Sequence, residues 1–138
     1  VLTDAARAAG KRLIGLETAR EQLGYFDALP IAAQRALLIE TVDELPHAGA
    51  TIDKMVAAWK AGDADALAEL MNEDLAKSPE LAEALLVRRN RNWAGWIQKR
   101  MDTPGTVFLA VGAGHLAGNA SVQAELTRRG LKVARVNY

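Results

Sequence analysis

Residues 106–136 read TVFLAVGAGHLAGNASVQAELTRRGLKVARV, and the order of their patterns decides how the whole chain is read. Thr106–Val111 is a nearly unbroken apolar run of β-favouring residues, the pattern of a strand covered on both faces. Gly112-Ala113-Gly114-His115-Leu116 is a tight glycine-rich connection. Asn119–Arg129 has the composition of a helix with Gly130 as its stop, and Leu131–Val136 alternates as a strand does. The spacing therefore predicts a strand–loop–helix–strand unit whose crossover is right-handed and whose strands are parallel.

Upstream, Lys11–Glu17 predicts a further short strand centred on Leu13, Ile14 and Leu16. Helices are expected over Thr3–Ala9, Thr18–Leu29, Ile31–Leu45, Thr51–Ala61 and Asp63–Lys77, with Gly10, Pro30, Pro46 and Gly62 as punctuation. Ser78-Pro79-Glu80 is a helix-start signature, and the helix that it opens should run to about Met101. The expected fold is α/β. A small, mostly parallel sheet would carry a large helical stretch, residues 31–102, between its strands, all within one domain over residues 1–138.

Composition narrows the function classes. The 138 residues (14.8 kDa) hold 17 Lys+Arg against 17 Asp+Glu, a balance that argues against nucleic acid as partner. Half of the residues are hydrophobic and 27 are alanine, so the chain is globular with many small, helix-favouring apolar positions. No apolar run approaches the ~20 residues of a transmembrane helix. With no cysteine there is no disulfide, thiolate ligand or thiol nucleophile, and His47 and His115 are the only imidazoles.

Position and periodicity single out three residues. His115 follows the predicted Thr106–Val111 strand, at the edge where open α/β sheets bind ligands, and Gly112 and Gly114 let the backbone approach one closely. Glu17 ends the first predicted strand, so parallel pairing would bring it to the same rim, where a carboxylate and an imidazole could hold a metal or move a proton. The plainer alternatives are a surface histidine in a turn and a carboxylate capping the next helix. Arg89 interrupts an apolar stripe of Leu81, Leu85, Trp93 and Ile97, and a core-facing guanidinium needs an anion such as Glu17 or a substrate. Asn90, next to it, could add amide hydrogen bonds. Arg88 and Arg91 are expected at the surface, His47 in a loop, and Trp59, Trp93 and Trp96 in helix packing. Gly112–Ala117 also fits a dinucleotide fingerprint with alanine in the third small position, but no acidic residue closes the following strand.

Several short motifs together resemble the TraB/GumN group, which includes the Tiki metalloproteases. They are Gly15-Leu16-Glu17-Thr18 with Glu21-Gln22-Leu23, Trp59-Lys60-Ala61-Gly62-Asp63, Arg89-Asn90 with Trp93, and Val111-Gly112-Ala113-Gly114-His115-Leu116. The resemblance runs in order from about Gly15 to Val136 and implies a metal-dependent, peptidase-like hydrolase acting on a peptide or protein. On that analogy Glu17, Arg89 and His115 are catalytic, and His115 and Glu17 hold a divalent ion (manganese, cobalt or zinc). Gln22, Asn90, Gly112 and Gly114 then serve substrate binding.

The family has a second Gly-x-x-His on an opening strand, and none occurs here besides Gly112–His115. The resemblance thus implies the carboxyl-terminal part of a longer, exported bacterial protein, periplasmic or membrane-anchored, with one ligand and part of the sheet missing. An open sheet edge would invite a second copy of the chain to form a homodimer. Two non-catalytic readings stand beside this one. In the first, the helical stretch grips a peptide, lipid or haem-like ligand through His115. In the second, the domain is purely structural and Arg89 and Glu17 simply pair.

Overall fold

The computed structural model describes residues 1–136, apart from the side chains of Asp74 and Ala76; Asn137 and Tyr138 lie outside the described residues. Local sequence chemistry sets each helix end. α1 (Leu2–Ala8) stops ahead of Gly10, whose φ of 64° ends the helical path. Thr18 opens α2 (Ala19–Asp27) with a reciprocal cap. Its hydroxyl accepts from the Glu21 amide, while the Glu21 carboxylate accepts from the Thr18 amide at 2.6 Å. Pro30 precedes α3 (Ile31–Glu44), a 3₁₀ turn at Leu45–His47 carries Pro46, and α4 (Ala48–Ala61) ends at left-handed Gly62. The Asp63 carboxylate accepts from the Ala66 amide at the head of α5 (Ala64–Lys77).

The helix opened by Ser78 and Pro79 does reach Met101, but not as a uniform α-helix. α6 (Pro79–Ala82) widens into a π turn at Glu83–Val87 before α7 (Arg88–Met101). A 3₁₀ turn at Ala113–His115 and the Ser121-capped α8 (Val122–Arg128) complete the elements. Packing follows the small-residue composition. Leu29 and Ala33 meet Leu81 and Ala84 in a buried cluster, with Leu37, Leu75 and Leu85 against it. α4 lies on α5, α5 carries the Ala113–His115 turn, and α7 lies on α8.

The structure overturns the α/β expectation. Among the described residues there is no strand, and so no small parallel sheet. Lys11–Glu17, Thr106–Val111 and Leu131–Val136 are irregular, and many of their apolar side chains are exposed, Phe108 at 79 % and Val136 at 73 %, while Leu16, Leu109, Val111 and Leu131 are half-buried. The cause is physical. β-favouring residues fit a pleated surface that neighbouring strands must supply, and no neighbour pairs with these segments. The open sheet edge on which a homodimer was expected is absent for the same reason.

Unpaired segments have a measurable consequence. Backbone amides of residues 106–111 should exchange with deuterium without protection, whereas those of residues 90–98 in α7 exchange slowly. Comparable protection in both would contradict the strandless fold.

Candidate functional site

Gly15 sets the first piece. A side chain there would bring Cβ within 2.9 Å of the Glu17 carbonyl oxygen, so only glycine allows the bend that leads into α2. The bend turns the Glu17 carboxylate inward, where its side chain is only 5 % exposed. Arg89 reaches it from the start of α7, with Nε 3.0 Å from Oε1 and Nη2 2.9 Å from Oε2, a fork-to-carboxylate geometry. The remaining Glu17 lone pairs accept from Trp93 Nε1 at 3.0 Å, Tyr25 OH at 3.2 Å and Gln22 Nε2 at 3.4 Å. Burial alone would raise the Glu17 carboxyl. The Arg89 bonds and charge, with Tyr25 and Gln22, outweigh it and hold the group below its ordinary value of 4.5.

His115 stands on the other side of the guanidinium. Its Nε2 lies 3.4 Å from Arg89 Nη1, which can only donate, and its Nδ1 lies 2.7 Å from Asn90 Oδ1. The network therefore assigns the proton to Nδ1 and leaves the lone pair on Nε2. Asn90 is fully buried and fixed in turn by its amide donating to the Ala120 carbonyl. The Trp93 ring covers the imidazole with centroids 4.6 Å apart. Burial, and then the Arg89 charge, push the His115 pKa down from 6.5 to about 4, against a smaller upward pull from Glu17.

The structure thus gathers Glu17, Gln22, Arg89, Asn90 and His115 into one cluster. Arg88 and Arg91 are exposed as expected, and so is His47. The two glycines differ. A Cβ on Gly114 would meet Asn72 Oδ1 at 3.1 Å and Met71, so Gly114 is required by the close approach of α5, and Asn72 donates to its carbonyl. A Cβ on Gly112 would find only the His115 ring at 3.8 Å. The dinucleotide fingerprint lacks its strand, and Gly114 is buried on α5 rather than open to a phosphate. His115 lines neither the groove between Tyr25 and Arg88 nor the one between Trp96 and Val107.

Three partners escaped the sequence reading: Tyr25, the indole of Trp93, and Asn72. A usable signal existed for two of them. Trp93 falls one turn after Arg89 on its face, and Tyr25 one turn after Gln22.

A match to the TraB/PrgY/gumN family spans residues 1–135. The chain belongs to that family. Neither the curated proteins nor the solved structures hold a match. The metal that a TraB/GumN resemblance implies does not fit these residues as they are arranged. Four side chains donate to the Glu17 carboxylate, and the Arg89 cation stands between it and His115, where a shared ion would have to sit. Among the described residues no three His, Asp or Glu side chains converge on a common point.

This geometry makes two predictions. The unfolded chain takes up the His115 proton before the folded one does, so stability should fall as pH drops from 6.5 to about 4. The loss should be about 3 kcal/mol, and a His115→Gln variant should lack it in denaturant titrations; equal slopes in both would refute the buried neutral imidazole. Separately, Gly114→Ala should lower stability by about 1–3 kcal/mol through overpacking, while Gly112→Ala changes it by less than about 0.5.

Proposed function

We propose that this TraB/PrgY/gumN chain carries a hydrolytic, peptidase-like site. The observation behind the reading is that Glu17, Arg89 and His115, far apart in sequence, meet in one hydrogen-bonded cluster around a neutral imidazole. In this reading His115 Nε2, held by Asn90 through Nδ1, accepts a proton from water as the water oxygen bonds to a substrate carbonyl carbon. The carbonyl oxygen takes up the negative charge beside Arg89 Nη1. Collapse of the adduct breaks the carbon–nitrogen bond, and the amine leaves with the proton that His115 held. Glu17 is a positioning residue that aims the guanidinium.

A divalent ion such as manganese, cobalt or zinc at His115 and Glu17 would require Arg89 to withdraw first, so no step is routed through one. Titration calorimetry with each ion decides this point. Micromolar binding abolished by His115→Ala would replace the base role of His115 with ligation.

The test of the hydrolytic reading is peptide hydrolysis by purified chain and variants. His115→Ala should lower kcat by about 100-fold or more, as should Arg89→Lys, which loses the fork. The acid limb of kcat/KM should fall near pH 4 rather than near 6.5. Hydrolysis unchanged in folded variants would end the proposal.

The saturated Glu17 favours a second reading, a purely structural ion pair. There, Arg89→Ala would cost about 3–5 kcal/mol by stranding a buried carboxylate, and no ligand affinity or rate would change.

A further inference from the structure

Independently of the hydrolytic reading, we infer that the outward face of α3 and α4 pairs, antiparallel, with the same face of a second copy of this chain. Backbone dihedrals stay right-handed helical at Glu44, Leu45, His47 and Ala48, so the chain continues its helical winding from α3 through the 3₁₀ turn into α4. Along that run, Ile31, Leu38, Leu45, Ile52 and Trp59 recur every seven residues. Val42 and Val56 fall between them, four and then three residues away, which is the alternating spacing of a coiled-coil seam.

All seven of these side chains are exposed, from Val56 at 44 % to Trp59 at 72 %. The seam spans residues 31–59, along α3, the 3₁₀ turn and α4. It lies on the opposite side of α3 from Ala33 and Leu37, which face the protein's own core. α3 is therefore apolar on two faces, and only one of them is satisfied internally. An apolar stripe of this length is more than a monomer ordinarily leaves to water.

The stripe is complementary to itself in one direction. Leu45 stands at its midpoint, so a two-fold axis there sets Leu38 against Ile52 of the second copy and Ile31 against Trp59. The two positions that break the seam are then compensated. Gly49 falls one position from directly opposite Val42, small against larger. Arg35, which forms no ion pair among the described residues, falls beside the exposed Trp59 indole, where a cation–π contact is available. Parallel pairing would instead oppose Arg35 to Arg35 and Gly49 to Gly49, a charge repulsion and a void. A lipid surface is the poorer occupant. Residues 31–61 carry four acidic and three basic side chains, not the basic flank that anionic headgroups attract.

Sedimentation equilibrium of the whole chain at up to about 100 µM gives the first readout, well above a micromolar Kd. The expected result is a dimer that Leu45→Glu converts to a monomer at least tenfold more readily, with unchanged helical circular dichroism because Leu45 is exposed. A monomer throughout, or a dimer indifferent to Leu45→Glu, would overturn the inference. Direction is read by oxidation, which is clean because the chain has no cysteine. A mixture of Leu38→Cys and Ile52→Cys chains should cross-link to each other, and Leu38→Cys alone should not. Efficient cross-linking of Leu38→Cys to itself would overturn the antiparallel arrangement. Binding of neutral or anionic vesicles that competes with dimer formation would assign the face to lipid and refute the pairing.

Discussion

The ion pair between Glu17 and Arg89 ties the amino-terminal segment to the long helix, across 72 residues of sequence. Neither partner would be tolerable alone, since an unpaired buried charge costs several kcal/mol. Much of the surrounding structure reads as the means of keeping both charges satisfied. Gly15 permits the bend that turns Glu17 inward. The Thr18–Glu21 cap fixes the helix that brings Gln22 and Tyr25 to the carboxylate. Arg89 spends its remaining nitrogen on the Leu85 carbonyl and the His115 ring.

The π turn at Glu83–Val87 lies immediately ahead of Arg89 and Asn90. Such turns insert an extra residue into the helical ladder and rotate the residues beyond it, and they are common at functional sites. Beyond it Asn90 is fully buried and donates to the Ala120 carbonyl ahead of α8, while Arg89 keeps a partly open position toward Glu17 and His115. Two adjacent residues on a helix diverge by about 100°, and the packing uses both directions.

The sequence made parts of this legible and hid others. The Arg89 interruption of an apolar stripe called for an anion, and Glu17 meets it, because periodicity on a helix is local and survives into the fold. Helix starts at Thr18, Asp63 and Ser78 were readable for the same reason, since capping depends on residues three apart. The strands were misread because a ladder is non-local. Thr106–Val111 has β-favouring side chains, but pairing depends on its neighbours in space, and no spacing within the segment encodes them. The polar work of Trp93 and Tyr25 was hidden differently. An indole or a phenol at helical spacing looks apolar until its hydrogen-bond partner is known.

The same satisfaction that stabilises the cluster also limits its chemistry. A carboxylate that accepts from four side chains is a weak base and a poor ligand, whatever its family analogue does. The imidazole is the exception. Asn90 consumes its proton-bearing nitrogen, and the 3.4 Å approach of Arg89 to the other is long for a hydrogen bond. Burial keeps the ring neutral, so its lone pair is present at any pH above about 4 without a metal or a second carboxylate to hold it. Of the three residues that position and periodicity single out, His115 is the one with a lone pair met only by a long contact, and the hydrolytic proposal rests on that atom.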